Sequence, residues 1–218
     1  MTKFKPIFIQ LGEIAKTRIS LILVICCLFS INVNATSILL LGDSLSASRG
    51  MQQKEGWVHL LNQQFSQQKS PLKIINASIS GETTGGGLAR LSLILSKNEI
   101  DYLLIELGGN DGLRGFPPAL IKNNLLQIIK LAQAKGTKVM LMDIRIPPNY
   151  GARYTKLFNN TFSKVAQETK VTLLPFFIEK IALQPTLMQS DGIHPNKTAQ
   201  PMIAATMKKQ LENIILNK

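Results

Sequence analysis

Three residues, one near the start of the chain and two near its end, could together perform acyl transfer: Ser44, Asp191 and His194. That reaction needs a nucleophile, a base to take its proton, a group that orients the base, and donors for the developing oxyanion. Ser44 can be the nucleophile, because it follows Gly42-Asp43 at the point where an apolar run must turn sharply. His194 can be the base, since an imidazole gains and loses a proton near neutral pH. Asp191 stands three residues before it, and Gly192 between them permits a tight turn. The carboxylate can then reach one ring nitrogen while the other faces the serine. For the oxyanion, Asn110 offers a side-chain amide, Gly81 an unobstructed backbone N–H, and Ser44 its own backbone N–H. Each role is filled once.

Two other chemistries compete with this reading. Asp43, Asp111 and Asp191 could together serve a metal-dependent phosphotransferase or phosphatase. An aspartyl nucleophile of that kind wants a second aspartate two positions on, and Leu45 stands there after Asp43. Asp43 is therefore read as a brace for the turn, with no metal ligand and no cofactor assigned anywhere in the chain. The third possibility is a non-catalytic lipid- or carbohydrate-binding module. Gly85-Gly86-Gly87 lacks the Gly-Lys-Ser/Thr of a phosphate loop and is read as flexibility before a helix. His59, the other of two histidines, is read as structural.

The elements that must position these residues alternate along the chain. Ile38-Leu39-Leu40-Leu41 reads as a strand buried on both faces, as in the middle of a parallel sheet. Gly56 to Gln67 places Trp57, Leu60, Leu61 and Phe65 on one helical face. Further strands are expected at Leu72–Ile75, Tyr102–Leu107, Lys138–Ile144 and Val171–Leu174. Helices are expected at about Gly87–Ser96, from Pro117-Pro118 to about Ala134, over Arg153–Lys170, and after a cap at Asn196. The alternation predicts one three-layer α/β domain with a five-stranded, mostly parallel sheet. Strand ends in such a sheet share one edge, where ligands bind. The Gly42, Ser78–Thr84 and Gly108–Asp111 stretches should meet there, joined by Asp191–His194 if its loop returns. Gly112 to Phe116 is read as a mobile rim able to close over an acyl chain.

Residues 1–35 stand apart from this domain, which is assigned to 36–218. Lys3, Lys5, Lys16 and Arg18 precede the uncharged run Ile19–Ile31, and Val33-Asn34-Ala35 has the small-x-small form of a cleavage site. This is the layout of a secretory signal peptide, and the run falls short of the ~20 residues that span a bilayer. A periplasmic or secreted product is expected. Both cysteines, Cys26 and Cys27, lie in the leader, so the remainder uses no disulfide and no thiolate. The net charge of +12 arises from scattered basic residues without aromatic interleaving, which argues against nucleic-acid binding.

Four blocks carry a resemblance. Gly42-Asp43-Ser44-Leu45, Gly81, Asn110 within Gly-Gly-Asn-Asp, and Asp191-x-x-His194 are similar to the four blocks of the SGNH (GDSL) hydrolases. The longer runs Asn76–Gly81, Glu106–Gly115 and Asp191–Asn196 resemble the subgroup of periplasmic acyl-CoA thioesterases, lysophospholipases and arylesterases. The resemblance implies a flavodoxin-like sheet and a metal-independent serine esterase acting on acyl esters and thioesters. It assigns Ser44, Asp191 and His194 to catalysis, and Ser44, Gly81 and Asn110 to the oxyanion. The expected partners are a small acyl ester or thioester and, transiently, membrane lipid, with the protein a monomer. One stretch departs from the subgroup. Ser48-Arg49-Gly50 stands where a glycine followed by an aromatic is expected, and the sequence alone assigns it no meaning.

Overall fold

A computed structural model describes residues 35–217. The leader read over residues 1–35 thus lies, but for Ala35, outside the described residues. The first strand, β1 (Thr36–Gly42), is followed by α1 (Trp57–Gln67), β2 (Leu72–Asn76), α2 (Thr84–Lys97), β3 (Tyr102–Glu106) and a short helix α3 (Gly109–Leu113). Then come α4 (Pro118–Gln133), β4 (Lys138–Met142), α5 (Ala152–Thr169), β5 (Thr172–Leu174), the single turn α6 (Glu179–Ala182) and α7 (Gln200–Ile215).

The five strands pair in the order β2-β1-β3-β4-β5, and every pairing is parallel. The chain steps from β1 to β2 on one side, then crosses to β3 on the other. The carboxyl ends of β1 and β3 therefore flank the point where the winding direction reverses, the place where this topology opens a crevice. Ser44 follows β1 and Asn110 follows β3, so the fold delivers both to that crevice.

Ile38, Leu39, Leu40 and Leu41 are fully buried, as are Leu103, Leu104 and Ile105 of β3. Continuous apolar runs of this kind are what strands covered on both faces require. Helix α1 packs with α7, while α2, α4 and α5 pack side by side. Phe158 and Phe162 of α5 meet edge-on beside the sheet, and Trp57 of α1 lies against Phe177. Among the described residues no helix is long and apolar enough to cross a membrane.

Helix α2 begins three residues earlier than its glycines suggest. Thr83 caps it by accepting from Gly86 N (3.2 Å), and the buried Asp111 carboxylate accepts from Thr84 N (2.9 Å) and Thr84 Oγ1 (2.6 Å). A carboxylate at the positive end of a helix offsets the poor propensity of Gly85-Gly86-Gly87. Gly109–Leu113, expected as a strand-ending turn, forms its own short helix. The segment read as a mobile rim is bonded on several sides. Phe116 N donates to Asp111 O, Tyr154 Oη to Phe116 O (2.8 Å), and Arg114 Nη2 to Gly81 O (3.1 Å).

Candidate active site

The turn after β1 is built by two buried carboxyl groups. Asp43 Oδ1 accepts from Leu45 N (3.0 Å), which curls the chain and lifts Ser44. Asp43 N in turn donates to Glu106 Oε2 (3.2 Å), which also accepts from Ser46 Oγ (2.8 Å). Glu106 is the last residue of β3 and is completely buried, and its Oε1 has no partner among the described residues. Burial, then the charge of Asp43, pushes Glu106 well above the ordinary glutamate range. Burial likewise raises Asp43, to about 6, against the opposing pull of Leu45 N–H and the Asn110 amide.

His194 arrives from the other end of the chain. The stretch after α6 doubles back on itself: Met188 pairs antiparallel with Pro195, Gln189 N donates to His194 O (2.7 Å), and Asn196 N donates to Leu187 O (2.8 Å). Asn196 then caps the 3-10 turn Lys197–Ala199, which leads into α7, by accepting from Thr198 N and Ala199 N. Packing of α7 on α1, with Trp57 N donating to Gln200 Oε1 (3.0 Å), sets this loop beside the β1 turn.

The result is a relay. Ser44 Oγ lies 2.8 Å from His194 Nε2, and His194 Nδ1 lies 2.6 Å from Asp191 Oδ2. Asp191 Oδ1 accepts from the backbone N–H groups of Ile193 (2.9 Å) and His194 (3.0 Å). Burial alone would raise Asp191, but these two N–H groups and the imidazole outweigh it and hold the carboxyl at about 2. Its ionised oxygen fixes Nδ1 as the protonated nitrogen, which leaves Nε2 free to accept from the serine hydroxyl. Ser44 and His194 are 7% and 8% exposed, so the pair is shielded yet open to a reactant.

The residues expected to meet an oxyanion are less uniform. Ile79 N donates to Gly42 O (3.1 Å), which draws the Ser78–Glu82 loop, and Gly81 with it, toward the β1 turn. Among the described residues neither Ser44 N–H nor Gly81 N–H is spent on another acceptor. Asn110 is different. Its amide donates to Asp43 Oδ2 (3.0 Å) and to Glu82 O (2.9 Å), so both hydrogens are engaged.

The remaining expectations sort themselves by contact. Asp43 bonds to the turn and to Asn110, Asp111 to Thr84, and Asp191 to His194, and among the described residues no three His, Cys, Asp or Glu side chains are grouped to hold a metal ion. His59 is exposed on α1. Ser48-Arg49-Gly50 lies against the His194 loop, where Gln189 Nε2 donates to Arg49 O (2.9 Å). Sequence reasoning assigned no role to Glu106 or Gln189. A charged residue closing an apolar strand, Tyr-Leu-Leu-Ile-Glu, was the available signal for Glu106.

The profile of the GDSL-like lipase/acylhydrolase family matches residues 40–200. The chain belongs to that family. Thioesterase 1/protease 1/lysophospholipase L1 of Escherichia coli (strain K12) is 47% identical over 181 residues, covering 83% of this chain and 86% of the relative. An arylesterase of Vibrio mimicus is 44% identical over 185 residues, covering 85% and 92% respectively. Among solved structures, the psychrotrophic esterase EstA from Pseudoalteromonas sp., inhibited by monoethylphosphonate, superposes with a TM-score of 0.82 at 48% identity. It covers 84% of this chain and all of EstA. This GDSL-like chain is thus a hydrolase on the α/β scaffold of its family, with serine esterase/thioesterase function.

Proposed function

We propose that this serine esterase/thioesterase cleaves acyl esters and thioesters through an acyl-enzyme on Ser44. The observation that carries the reading is the unbroken line Ser44 Oγ, His194 Nε2, His194 Nδ1, Asp191 Oδ2, with contacts of 2.8 and 2.6 Å. As Ser44 Oγ bonds to the acyl carbon, its proton passes to Nε2, and Asp191 stabilises the imidazolium. The imidazolium then gives that proton to the departing alkoxide or thiolate as the carbon–leaving-group bond breaks. Water enters, loses a proton to Nε2, and adds to the acyl carbon. Collapse returns the proton to Ser44 Oγ and releases the carboxylic acid.

The negative charge on the carbonyl oxygen in both steps is met by the unspent N–H groups of Ser44 and Gly81. Asn110 contributes by turning one amide hydrogen from Glu82 O toward the oxyanion while the other stays on Asp43. The relatives named for thioesterase, lysophospholipase and arylesterase activity mark the substrate range to assay. The signal-peptide layout read over residues 1–35 supports action outside the cytoplasm, on substrates drawn from or near membrane lipid. The test is hydrolysis of a medium-chain acyl-CoA, a lysophospholipid and an aryl ester by the chain without its leader. Turnover on at least one of these should fall by 10³-fold or more in Ser44→Ala. Equal turnover by that variant would refute the reading.

A further inference from the structure

Ser44 and His194 lie 150 residues apart in sequence, and their alignment must survive a cycle in which the bond between them breaks. Among the described residues, two hydrogen bonds directly join the nucleophile turn (residues 43–51) to the histidine loop (residues 187–196). One is Ser44 Oγ to His194 Nε2. The other is Gln189 Nε2 to Arg49 O, at 2.9 Å. In the acyl-enzyme the serine oxygen carries no proton, so the first of these is gone and the second remains.

We propose that Gln189 is a positioning residue that keeps His194 in register with Ser44 throughout turnover. Its amide nitrogen has two hydrogens and uses both, one across the gap on Arg49 O and one within its own loop on Pro195 O (3.1 Å). Its own backbone N–H holds His194 O at 2.7 Å, so one residue grips the carbonyls on both sides of the His194–Pro195 bond. A neutral amide is the side chain for this task, because two carbonyl oxygens would repel a carboxylate.

The nucleophile turn is shaped to receive it. Gly50 has φ +77°, and a Cβ there would lie 2.4 Å from Gln189 Oε1, so only a glycine lets the amide lie this close to the backbone. Ser48 also adopts a left-handed conformation (φ +59°), which is costly for a non-glycine residue and presents Arg49 O toward the histidine loop. Ser48-Arg49-Gly50, the departure from the subgroup's pattern, thereby becomes the docking face for Gln189.

This inference rests on the Ser44–His194 reading and is tested so that the two can fail separately. Gln189→Met keeps the length of the side chain and removes the donor; Gln189→Glu keeps the shape and replaces the donor with oxygen. Each variant is titrated with a serine-directed phosphonate, and turnover is expressed per titrated site. Displacement of a catalytic group by about 1 Å can cost ~10²-fold. The expected result is a kcat per competent site lowered roughly 10- to 100-fold in both variants, with KM within about twofold. A purely structural role would lower the titratable fraction or the melting temperature and leave kcat per site unchanged, and that outcome overturns the proposal. So does wild-type kcat in either folded variant. Turnover that survives Ser44→Ala would instead overturn the underlying reading, and the proposal with it.

Discussion

Asn110 spends both amide hydrogens, on Asp43 Oδ2 and Glu82 O, so in the proposed role one of them turns from Glu82 O to the oxyanion while Asp43 holds the other. An oxyanion donor is worth ~10²–10³ in turnover. Asn110→Ala is therefore expected to fold and to lose about that much kcat on ester substrates; undiminished turnover by a folded variant would remove Asn110 from the oxyanion site. Behind Asn110 stands Asp43, and behind Asp43 stands Glu106, whose burial favours its protonated form. The sign of the pH effect follows from linkage. A carboxyl group whose pKa is raised on folding binds more protons folded than unfolded, so its contribution to stability falls as pH rises above the unfolded value near 4.5. Relative to Glu106→Gln, which does not titrate, the wild-type melting temperature should drop as pH rises above about 4.5. A difference that stays flat as pH rises from there would show that Glu106 is not raised.

Helix α3 shows how packing sets a site. It is five residues long, too short to persist by backbone propensity, yet it carries Asn110. What holds it is contact with α5 and the β4–α5 connection. A Cβ on Gly112 would meet Phe158 at 2.6 Å and Ile146 at 2.7 Å, and Phe158 is fully buried. The helix therefore sits as close to these side chains as a bare backbone allows. Gly112→Ala is expected to cost ~1–3 kcal/mol by overpacking, read as a lower denaturant midpoint at unchanged slope. Stability equal to wild type would mean that the helix is not pinned there. The short helix was not legible in the sequence, because Gly108-Gly109-Asn110-Asp111-Gly112 reads as a turn by every local rule. The early start of α2 was hidden for the same reason. Its stabilising partner, Asp111, comes 27 residues later than the Thr84 it caps, and no window of local pattern includes both.

For the molecule as a whole, the parallel sheet, its three layers and the family were legible because their signals are strong. Runs such as Ile38–Leu41 leave little choice but a strand buried on both faces, and the strand–helix alternation leaves little choice but parallel pairing. The candidate site was legible to the extent that its residues are chemically distinctive and end strands. Ser44, Asp191 and His194 could be named in advance as candidates for one another's partners, and they lie in contact; the sheet order explains why the segments after β1 and β3 meet. What stayed hidden were the contacts made to backbone. Gln189 bonds to the carbonyl of Arg49, 140 residues away, and a carbonyl has no sequence signature. Nor could residue types show that both Asn110 hydrogens are engaged.

The central claim, that Ser44 is a nucleophile activated by His194, is tested most directly by trapping the enzyme with an activated alkyl phosphonate and mapping the adduct by peptide mass spectrometry. One phosphonyl group per chain on Ser44 is expected, at a rate that falls at least ~10²-fold in His194→Ala. An adduct on any other residue, or a labelling rate indifferent to His194, would contradict it.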